Sequence, residues 1–214
     1  MIVAIDGPSA SGKGTVAKKL ADVLGFTYID TGAMYRCVSL KSLRENIKET
    51  DYDKIVDLLK NIDIKLTNDG KVFMNNEDVS EEIRSIEVTK RVSKISSIVS
   101  LREVMRQKQR NFALTNSVVM EGRDITTEVF PDADFKFYLD ASVDVRARRR
   151  FLQNKQKGVE CTLEEIKKSI EERDYDDMNR EVGALVRTNN QIYIDSSSMT
   201  IDEVLNKMLG VIRK

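Results

Sequence analysis

The sequence predicts an α/β fold whose centre is a parallel β-sheet of five strands. Five short apolar runs alternate along the 214-residue chain with longer segments of helical periodicity. Strands separated in this way need crossover connections, which join parallel neighbours. Their near-continuous apolar character indicates a sheet that helices cover on both faces. The predicted strands span residues 1–5, 26–29, 117–120, 135–139 and 191–194.

Capping signals place the helices between these strands. Residues 15–24 carry apolar side chains at helical spacing, and Gly25 ends that helix. A Ser or Thr followed three residues later by Glu forms a capping box, in which both side chains accept hydrogen bonds from free backbone amides. Three such pairs predict helices over about residues 100–115, 162–180 and 200–213: Ser100 with Glu103, Thr162 with Glu165, and Thr200 with Glu203.

Residues 62–79 depart from the parallel pattern. Apolar and polar residues alternate on both sides of Asn68-Asp69-Gly70, which is typical of a hairpin turn. We therefore expect a small antiparallel insertion, and the alternative is a surface excursion without function. The sequence has no repeat, low-complexity tract or Pro/Gly-rich linker, so we expect a single domain over residues 1–214.

Composition excludes several classes of protein. Hydrophobic residues make up 41% and charged residues 33% of the chain, and no apolar run approaches the ~20 residues of a membrane span. Asp6 and Gly7 interrupt the first apolar run, which argues against a signal peptide. Cys37 and Cys161 are the two cysteines, and they suit a reducing cytoplasm. The formal net charge of zero gives no basic field for nucleic acid, and without a heptad run we expect a monomer.

The sequence contains no histidine. This removes the commonest general base, the nucleophile pairs that depend on histidine, and His-ligated metal sites. Phosphoryl transfer can proceed with the groups that remain, which are lysine, arginine, carboxylates, hydroxyls, backbone amides and a bound ion.

A glycine-rich loop follows the first strand and opens the first helix, in the Walker A spacing of a P-loop. Its backbone amides and the helix N-terminus favour phosphate, and Lys13 can reach the β- and γ-phosphates of ATP. Gly14 stands where a Ser or Thr usually ligates Mg²⁺, which weakens the case for direct ligation by a hydroxyl. A chance glycine turn is the alternative, and the flanking strand and helix weigh against it. The predicted loop comprises Gly7, Pro8, Ser9, Ala10, Ser11, Gly12, Lys13, Gly14 and Thr15.

Two arginines indicate a second anionic ligand. Arg36 and Arg123 each follow a predicted strand, at the sheet edge where open parallel sheets bind ligands. Arginine suits bidentate phosphate contact, and ATP with a nucleoside monophosphate carries about six negative charges. An acceptor phosphate with a second pKa near 6 is largely deprotonated at neutral pH, so it needs no general base.

Other arginines recur along predicted helices. For the stripe of three at four-residue spacing, taken alone, a solvated helix face with ion pairs is the favoured interpretation. The string at residues 154–157 begins Asn-Lys but lacks the aspartate of a guanine-binding motif, and we interpret it as a solvated helix end. The groups are the stripe Arg102, Arg106 and Arg110, the run Arg146, Arg148, Arg149 and Arg150, and the pair Arg173 and Arg180 around Asp177.

Four motifs together resemble those of the bacterial cytidylate kinases. They are the P-loop, the segment Asp30-Thr31-Gly32-Ala33-Met34-Tyr35-Arg36, the triplet Gly122-Arg123-Asp124, and the helix with Glu172-Arg173-Asp174, Asp177 and Arg180. Their order and spacing cover the chain end to end, and the hairpin is similar to an extension found in these enzymes.

The resemblance implies the fold of P-loop nucleoside monophosphate kinases. It implies a monophosphate-binding region at about residues 47–98, which carries the insertion, and a short lid at about 150–163. It further implies transfer of the γ-phosphate of ATP to CMP or dCMP, giving CDP or dCDP and ADP, with Mg²⁺.

The resemblance also implies residue roles. Lys13, the loop amides and Arg149 would hold ATP, and the arginine run at residues 146–150 would contribute to the lid over it. Arg36, Arg123 and Arg180 would hold the acceptor phosphate or the transferring group, with Thr31 near the acceptor nucleotide. Arg173 and Asp177 would contact the ribose. Ser93, Arg102 and Asp124 would address cytosine, since a carboxylate accepts from its N4 amine and Arg or Ser donates to its O2 and N3.

Some of these assignments rest on weaker signals. Only the resemblance singles out Ser93, which sits among other serines. Thr15 and Asp30 are candidate Mg²⁺ residues, Asp30 through water. Glu121 ends a strand as a Walker B acid would, although Gly122 after it could be purely a turn residue.

Two other functions remain open at this point. One is a kinase of the same fold that acts on shikimate, adenylate or another pyrimidine nucleotide; the insertion, Asp124 and Arg102 weigh against it. The other is a nucleotide-binding regulator without catalysis, which would not need strand-end arginines to hold a second anion.

Overall fold

Eight strands form in the part of the chain that the computed structural model describes, residues 1–156 and 158–213. They are β1 (Ile2–Asp6), β2 (Thr27–Asp30), β3 (Ile64–Leu66), β4 (Val72–Met74), β5 (Glu77–Asp78), β6 (Val118–Gly122), β7 (Phe135–Asp140) and β8 (Ile192–Asp195). The same residues form eight α-helices: α1 (Lys13–Leu24), α2 (Thr31–Arg44), α3 (Tyr52–Asn61), α4 (Ile86–Ser96), α5 (Val99–Asn111), α6 (Val143–Gln156), α7 (Leu163–Met178) and α8 (Ile201–Ile212).

Five strands form a parallel sheet in the order β2-β6-β1-β7-β8, which confirms the predicted fold class. β1 lies at the centre, so the loop that follows it is flanked by the loops that follow β6 and β7. In this register Asp6 pairs with Gly122 and with Tyr138. The chain segments after these strands therefore meet at one edge of the sheet, where parallel sheets bind ligands.

Helices and loops cover both faces of this sheet. On one face, alternate residues of β1, β6, β7 and β8 pack against α1 and α8, whereas on the other Ala4, Ile29 and Met120 pack against Ile125 and Val129. Burial on both faces explains why the strands are apolar almost throughout. Among the described residues, no helix is both long enough and apolar enough to cross a membrane.

The small antiparallel sheet has the predicted hairpin and one further short strand, in the order β3-β4-β5. Its inner side chains share one hydrophobic core with α2, α3, α4 and α5. The tip also contacts the main sheet, because Asn68 Oδ1 accepts a hydrogen bond from the backbone amide of Tyr28 (3.1 Å), and Lys18 Nζ donates to the carbonyl of Asp69 (2.6 Å).

Two of the three predicted capping boxes are confirmed. Thr162 with Glu165 and Thr200 with Glu203 make both reciprocal bonds, at the starts of α7 and α8. The third was wrong, because Ser100 lies inside α5 and Ile98 is its N-cap without a side-chain bond. A Ser-x-x-Glu pattern also fits the exposed face of a helix interior, and here the apolar Ile98, Leu101 and Met105 set the start of the helix.

Candidate active site

The glycine-rich loop joins β1 to α1, as predicted, and close packing explains its small residues. A Cβ atom on Gly7 would lie 2.1 Å from the carbonyl oxygen of Leu139, so no larger residue fits there. Lys13 opens α1 with its side chain buried, and its Nζ donates to the carbonyl of Pro8 (3.1 Å). The loop therefore closes around its own lysine, and backbone amides and the start of α1 face the same edge of the sheet.

Glu121, at the end of β6, lies beside Gly14. A Cβ atom on Gly14 would lie 3.1 Å from Glu121 Oε1, and Lys13 Nζ is 3.8 Å from Glu121 Oε2. Burial and the nearby Arg123 lower the pKa of Lys13, whereas burial raises the pKa of Glu121. Gly14 lacks the hydroxyl that the Walker A pattern usually has at this position, and the buried carboxylate of Glu121 lies next to it instead.

Five cations converge beside the loop and form what we call the cation cluster: Lys13, Arg36, Arg123, Arg173 and Arg180. Burial and neighbouring guanidinium groups lower the pKa of Arg36, Arg173 and Arg180 to about 10 each. Like charges perturb one another in this way only when they lie close together. With pKa values of about 10, these three arginines stay charged at neutral pH, so the cation cluster offers positive charge to anionic ligands.

Asp177 orients two members of the cation cluster. Its side chain is 1% exposed and accepts from Arg123 Nε at 2.6 Å, and it also forms an ion pair with Arg180. The sequence placed Arg180 on the same helix face as Asp177, but α7 ends at Met178 and Arg180 reaches back from just beyond the end. The Nε of Arg173, buried nearby, has no hydrogen-bond partner within the described part of the chain.

A second buried ion pair joins Arg102 on α5 to Asp124, which follows β6. Arg102 Nη2 lies 2.6 Å from Asp124 Oδ2, and Arg102 Nη1 donates to the carbonyl of Ser96 (2.8 Å). The guanidinium also lies over the ring of Tyr35, with Arg102 Cζ 5.3 Å from the ring centroid. These contacts bring a carboxylate and a guanidinium close to Arg180 of the cation cluster.

The interpretation of the Arg102 stripe as a solvated face was wrong. Arg102 is 2% exposed, Arg106 pairs with Glu128 (3.2 Å), and Arg110 donates to the carbonyls of Glu128 and Val129. The stripe faces Asp124 and the single wide helical turn of residues 125–129 that follows it. Four-residue spacing cannot distinguish a solvated face from one that packs on a polar loop.

The other predicted acceptor residues lie on α2 and α4. Thr31 begins α2, and its hydroxyl donates to the carbonyl of Glu121 (2.7 Å) near the end of β6. Arg36 does not lie at a strand end as expected, since it is within α2 and donates to Thr89 (2.9 Å) and Ile83. Ser93 is half-buried on α4, and its hydroxyl makes no hydrogen bond among the described residues.

Two arginines of the run that leads into the predicted lid have different contacts. Arg149 donates to the carbonyls of Ser11 (3.1 Å) and Ser196 (2.7 Å), which places it at the P-loop. Arg146 is buried: it donates to the carbonyl of Ser9 (3.2 Å) and forms an ion pair with Asp174 (2.7 Å). Lys157, within the predicted lid and the 154–157 string, lies outside the described residues.

Sequence reasoning missed two buried carboxylates. Asp174 holds Arg146, and Asp6 accepts three hydrogen bonds from the segment after Asp124. The signal for Asp6 was a charge at the end of an apolar strand, which was used only to argue against a signal peptide. Asp174 belongs to the Glu-Arg-Asp motif, and no sequence pattern shows that its carboxylate pairs with Arg146.

The oxygen donors near Lys13 fit Mg²⁺ held through water. The carboxylates of Asp30 and Glu121 both lie close enough to affect the pKa of Lys13, and Thr15 is exposed at the start of α1. Asp30 Oδ1 already accepts from the amide of Ala33 (2.9 Å). Within residues 1–156 and 158–213, no three acidic or Cys side chains form a closed metal site. Mg²⁺ commonly keeps several waters and takes one or two carboxylates plus phosphate oxygens, which agrees with this donor set.

Comparison with known proteins decides the family. The family model for cytidylate kinase matches residues 3–214. The chain belongs to the cytidylate kinase family. It is 49% identical to the cytidylate kinase of Caldanaerobacter subterraneus over 99% of this chain and 94% of that relative. It is 46% identical to that of Oceanobacillus iheyensis (99% and 94%) and 48% identical to that of Desulforamulus reducens (99% and 96%). Membership of this family confirms the resemblance drawn from the four motifs.

Solved structures with similar architecture support the fold alone. An uncharacterised protein from Eubacterium ventriosum aligns with a TM-score of 0.56 and 13% identity, covering 100% of this chain and 99% of that one. A Thermus thermophilus protein aligns with a TM-score of 0.51 and 16% identity, covering 99% and 95%. Sequence identity this low carries no functional assignment.

Proposed function

We propose that this chain transfers the γ-phosphate of ATP to CMP and dCMP. One observation carries the proposal: the cation cluster lies between the P-loop and the buried Arg102–Asp124 pair. A site for one nucleotide would need only the P-loop. Cations between a triphosphate site and a base-reading pair are suited to bringing two phosphate groups together.

The donor side would hold ATP through the main chain. The amides of residues 7–15 and the start of α1 would bind its β- and γ-phosphates, with Lys13 as the nearest cation. Arg149, anchored to the carbonyls of Ser11 and Ser196, would lie over the donor phosphates. The lid at about residues 150–163 would exclude water on closure, which protects the γ-phosphate from hydrolysis.

The acceptor side would hold CMP through side chains. Arg36, Arg123 and Arg180 would bind its phosphate, while Arg173 and Asp177 would meet the ribose hydroxyls. The oriented Arg123 and Arg180 already share Asp177, so their geometry is set before the acceptor arrives. The region at about residues 47–98 would close over this nucleotide.

The base would be read by charge and hydrogen-bonding pattern. Asp124 can accept from the N4 amine of cytosine, and Arg102 or Ser93 can donate to O2 and N3. Uracil has a carbonyl at position 4, which would face the Asp124 carboxylate and repel it. This arrangement favours cytidine nucleotides over uridine nucleotides.

The transfer needs no protein base. An oxygen of the acceptor phosphate attacks the γ-phosphorus, the bond to the β–γ bridging oxygen breaks, and ADP leaves with the electron pair of that bond. The cation cluster stabilises the charge on the equatorial oxygens of the transferring group. Thr15, Asp30 and Glu121 would hold Mg²⁺ through water, and when bound the ion supplies further neutralisation of phosphate charge.

One assay tests the proposal and its rivals. ADP release from ATP would be measured with CMP, dCMP, UMP, AMP and shikimate as acceptors. We expect release with CMP and dCMP to exceed release with each other acceptor by at least about tenfold, because Asp124 rejects an oxygen at position 4. Preference for AMP or shikimate would contradict the acceptor assignment, and no acceptor-dependent release would favour a non-catalytic regulator.

Two further properties complete the proposal. Cys37 is buried and Cys161 is half-buried, and both are free thiols, in agreement with a reducing cytoplasm. The proposed site is formed from one chain, so we expect a monomer. Gel filtration at the assay concentration measures the oligomeric state.

A further inference from the structure

Asp6 is a buried carboxylate to which the proposed reaction gives no role. It ends the central strand β1 directly before Gly7, the first residue of the P-loop, and it is 0% exposed. Both of its oxygens accept hydrogen bonds. Oδ1 accepts from the amide of Ile125 (2.9 Å), and Oδ2 accepts from the amide (2.8 Å) and hydroxyl (2.6 Å) of Thr126.

These bonds cap the wide turn that follows Arg123 and Asp124. Residues 125–129 form this turn, and Asp124 at its N-cap makes no side-chain capping bond. Asp6 supplies the missing acceptors from the neighbouring strand, because free amides at a helical start need acceptors. The residue before the donor loop therefore fixes the backbone beside the two residues proposed to bind the acceptor phosphate and base.

The geometry requires a carboxylate at position 6. All three groups that contact Asp6 donate, and an ionised carboxylate is the side chain of this size that only accepts. An amide would direct its NH₂ group towards one of these donors. Burial raises the pKa of Asp6 to about 6, so at neutral pH the side chain is mostly ionised and accepts all three bonds.

The network continues beyond Thr126 to the last strand. The Thr126 hydroxyl accepts from Gln191 Nε2 (2.5 Å), and Gln191 Oε1 accepts from the amide of Thr188 (2.7 Å). Gln191 is itself buried, so the turn is held from both sides by groups shielded from water. Shielded hydrogen bonds resist distortion more than exposed ones.

We propose that Asp6 is a positioning residue for phosphoryl transfer, which fixes Arg123 and Asp124 against the first residue of the P-loop. It touches neither nucleotide and acts on the distance and angle between the donor and acceptor sites. In-line transfer is sensitive to this geometry, and a misplacement of about 1 Å can cost on the order of 100-fold in rate. The inference rests on the proposed function.

The test compares Asp6→Asn with Asp134→Asn, a matched control. Asp134 is an exposed aspartate whose Oδ2 accepts from the amide of Ile2 (2.6 Å), at the opposite end of the same strand. Each protein would be assayed for kcat and KM with CMP, and for the Kd of ATP alone by calorimetry. Circular dichroism and thermal unfolding would verify the folded state.

Asp6→Asn is expected to lower kcat/KM for CMP by about 10- to 100-fold while the Kd of ATP changes less than about threefold. The main-chain donor site does not depend on the turn, so a purely structural defect would instead reduce both together. Asp134→Asn is expected to match the wild type in both measurements. Equal losses for ATP and CMP in Asp6→Asn, or an unchanged kcat/KM, would overturn the positioning role.

Thr126→Val keeps the test decisive if Asp6→Asn fails to fold. It removes one of the three bonds and retains both amide contacts, so we expect a smaller loss for CMP in the same direction, about threefold to tenfold. An unchanged kcat/KM in this variant would overturn the role. Wild-type protein that turns over no acceptor would instead overturn the proposed function and the role with it, whereas active wild type with unaffected variants overturns the role alone.

Discussion

The proposed donor and acceptor sides of the site are held in place by different kinds of contact. The donor side is one continuous segment, residues 7–15, held by close packing of glycines and by backbone carbonyls. The acceptor side combines side chains from α2, α5, α7 and the end of β6, held by buried ion pairs. A main-chain site tolerates the loss of one side chain better than a site made of mutually dependent charges. The two sides should therefore respond differently to substitution.

The largest loss of activity should follow substitution of Arg123, which lies between the proposed donor and acceptor sides. Arg123→Ala removes a cation that faces Lys13 and leaves Asp177 without one of its partners. We expect kcat/KM for CMP to fall by about 10³-fold, because such a cation stabilises charge that develops in the transition state. Steady-state ADP release measures this.

Arg148→Ala is the control for Arg123→Ala. Arg148 lies exposed on α6, and its removal should leave turnover within about twofold. Retained turnover in a folded Arg123→Ala protein would contradict the phosphate role.

The next substitution should affect the acceptor side only. Asp124→Asn keeps the size of the side chain but removes the charge that pairs with Arg102 at 2.6 Å. We expect kcat/KM for CMP to fall by about 10- to 100-fold with little change in the Kd of ATP. Competition between CMP and UMP measures the loss of discrimination, and Asp132→Asn, at an exposed loop residue, is the control. An equal loss for CMP and UMP would argue against base reading.

A substitution at the proposed donor site should affect the binding of ATP and not that of CMP. Arg149→Ala removes contacts to Ser11 and Ser196 without touching the acceptor residues. We expect the KM for ATP to rise by about tenfold while the KM for CMP stays within about twofold, since the loop amides remain. Initial rates at varied ATP and CMP concentrations separate the two. If both KM values rise together, the separation into two sides is wrong.

The smallest predicted effect concerns pH and stability at the junction between the sides. The pKa of Asp6 is raised from 3.8 to about 6 in the folded protein, so the folded state binds a proton more readily than the unfolded state. The contribution of Asp6 to the free energy of unfolding therefore falls as the pH rises from 3.8 to about 6. Acidification from pH 7 to 5 should gain about 1 kcal/mol from Asp6, at about 1.4 kcal/mol for each unit of pKa.

The Asp6→Asn variant should lack the gain in unfolding free energy that Asp6 gives the wild type between pH 7 and 5. Urea unfolding of wild type and variant at both pH values measures the difference, and the neighbouring Asp124 and Glu121 are common to both proteins. A variant with the same pH dependence as the wild type would show that Asp6 does not titrate in this interval.

The sequence predicted the structure around the proposed donor site almost completely, and the contacts around the proposed acceptor site only in part. Strand, loop and helix are adjacent along the chain at residues 1–24, so local patterns were sufficient there. The acceptor side depends on contacts between distant residues, such as Arg102 with Asp124 and Arg146 with Asp174, which periodicity cannot reveal. Arg102 illustrates this: its spacing fitted a solvated helix face, and only the loop packed against that face shows that it is buried.

Gly14 and Glu121 have a consequence for how sequences of this kind can change. The carboxylate of Glu121 leaves 3.1 Å for a Cβ atom at position 14, which is too short for easy accommodation. A serine at position 14 would therefore push the Glu121 carboxylate aside by a few tenths of an ångström. Its hydroxyl would then share the space beside the P-loop lysine with that carboxylate, so a change at position 14 acts on the lysine's environment through Glu121 as well as directly.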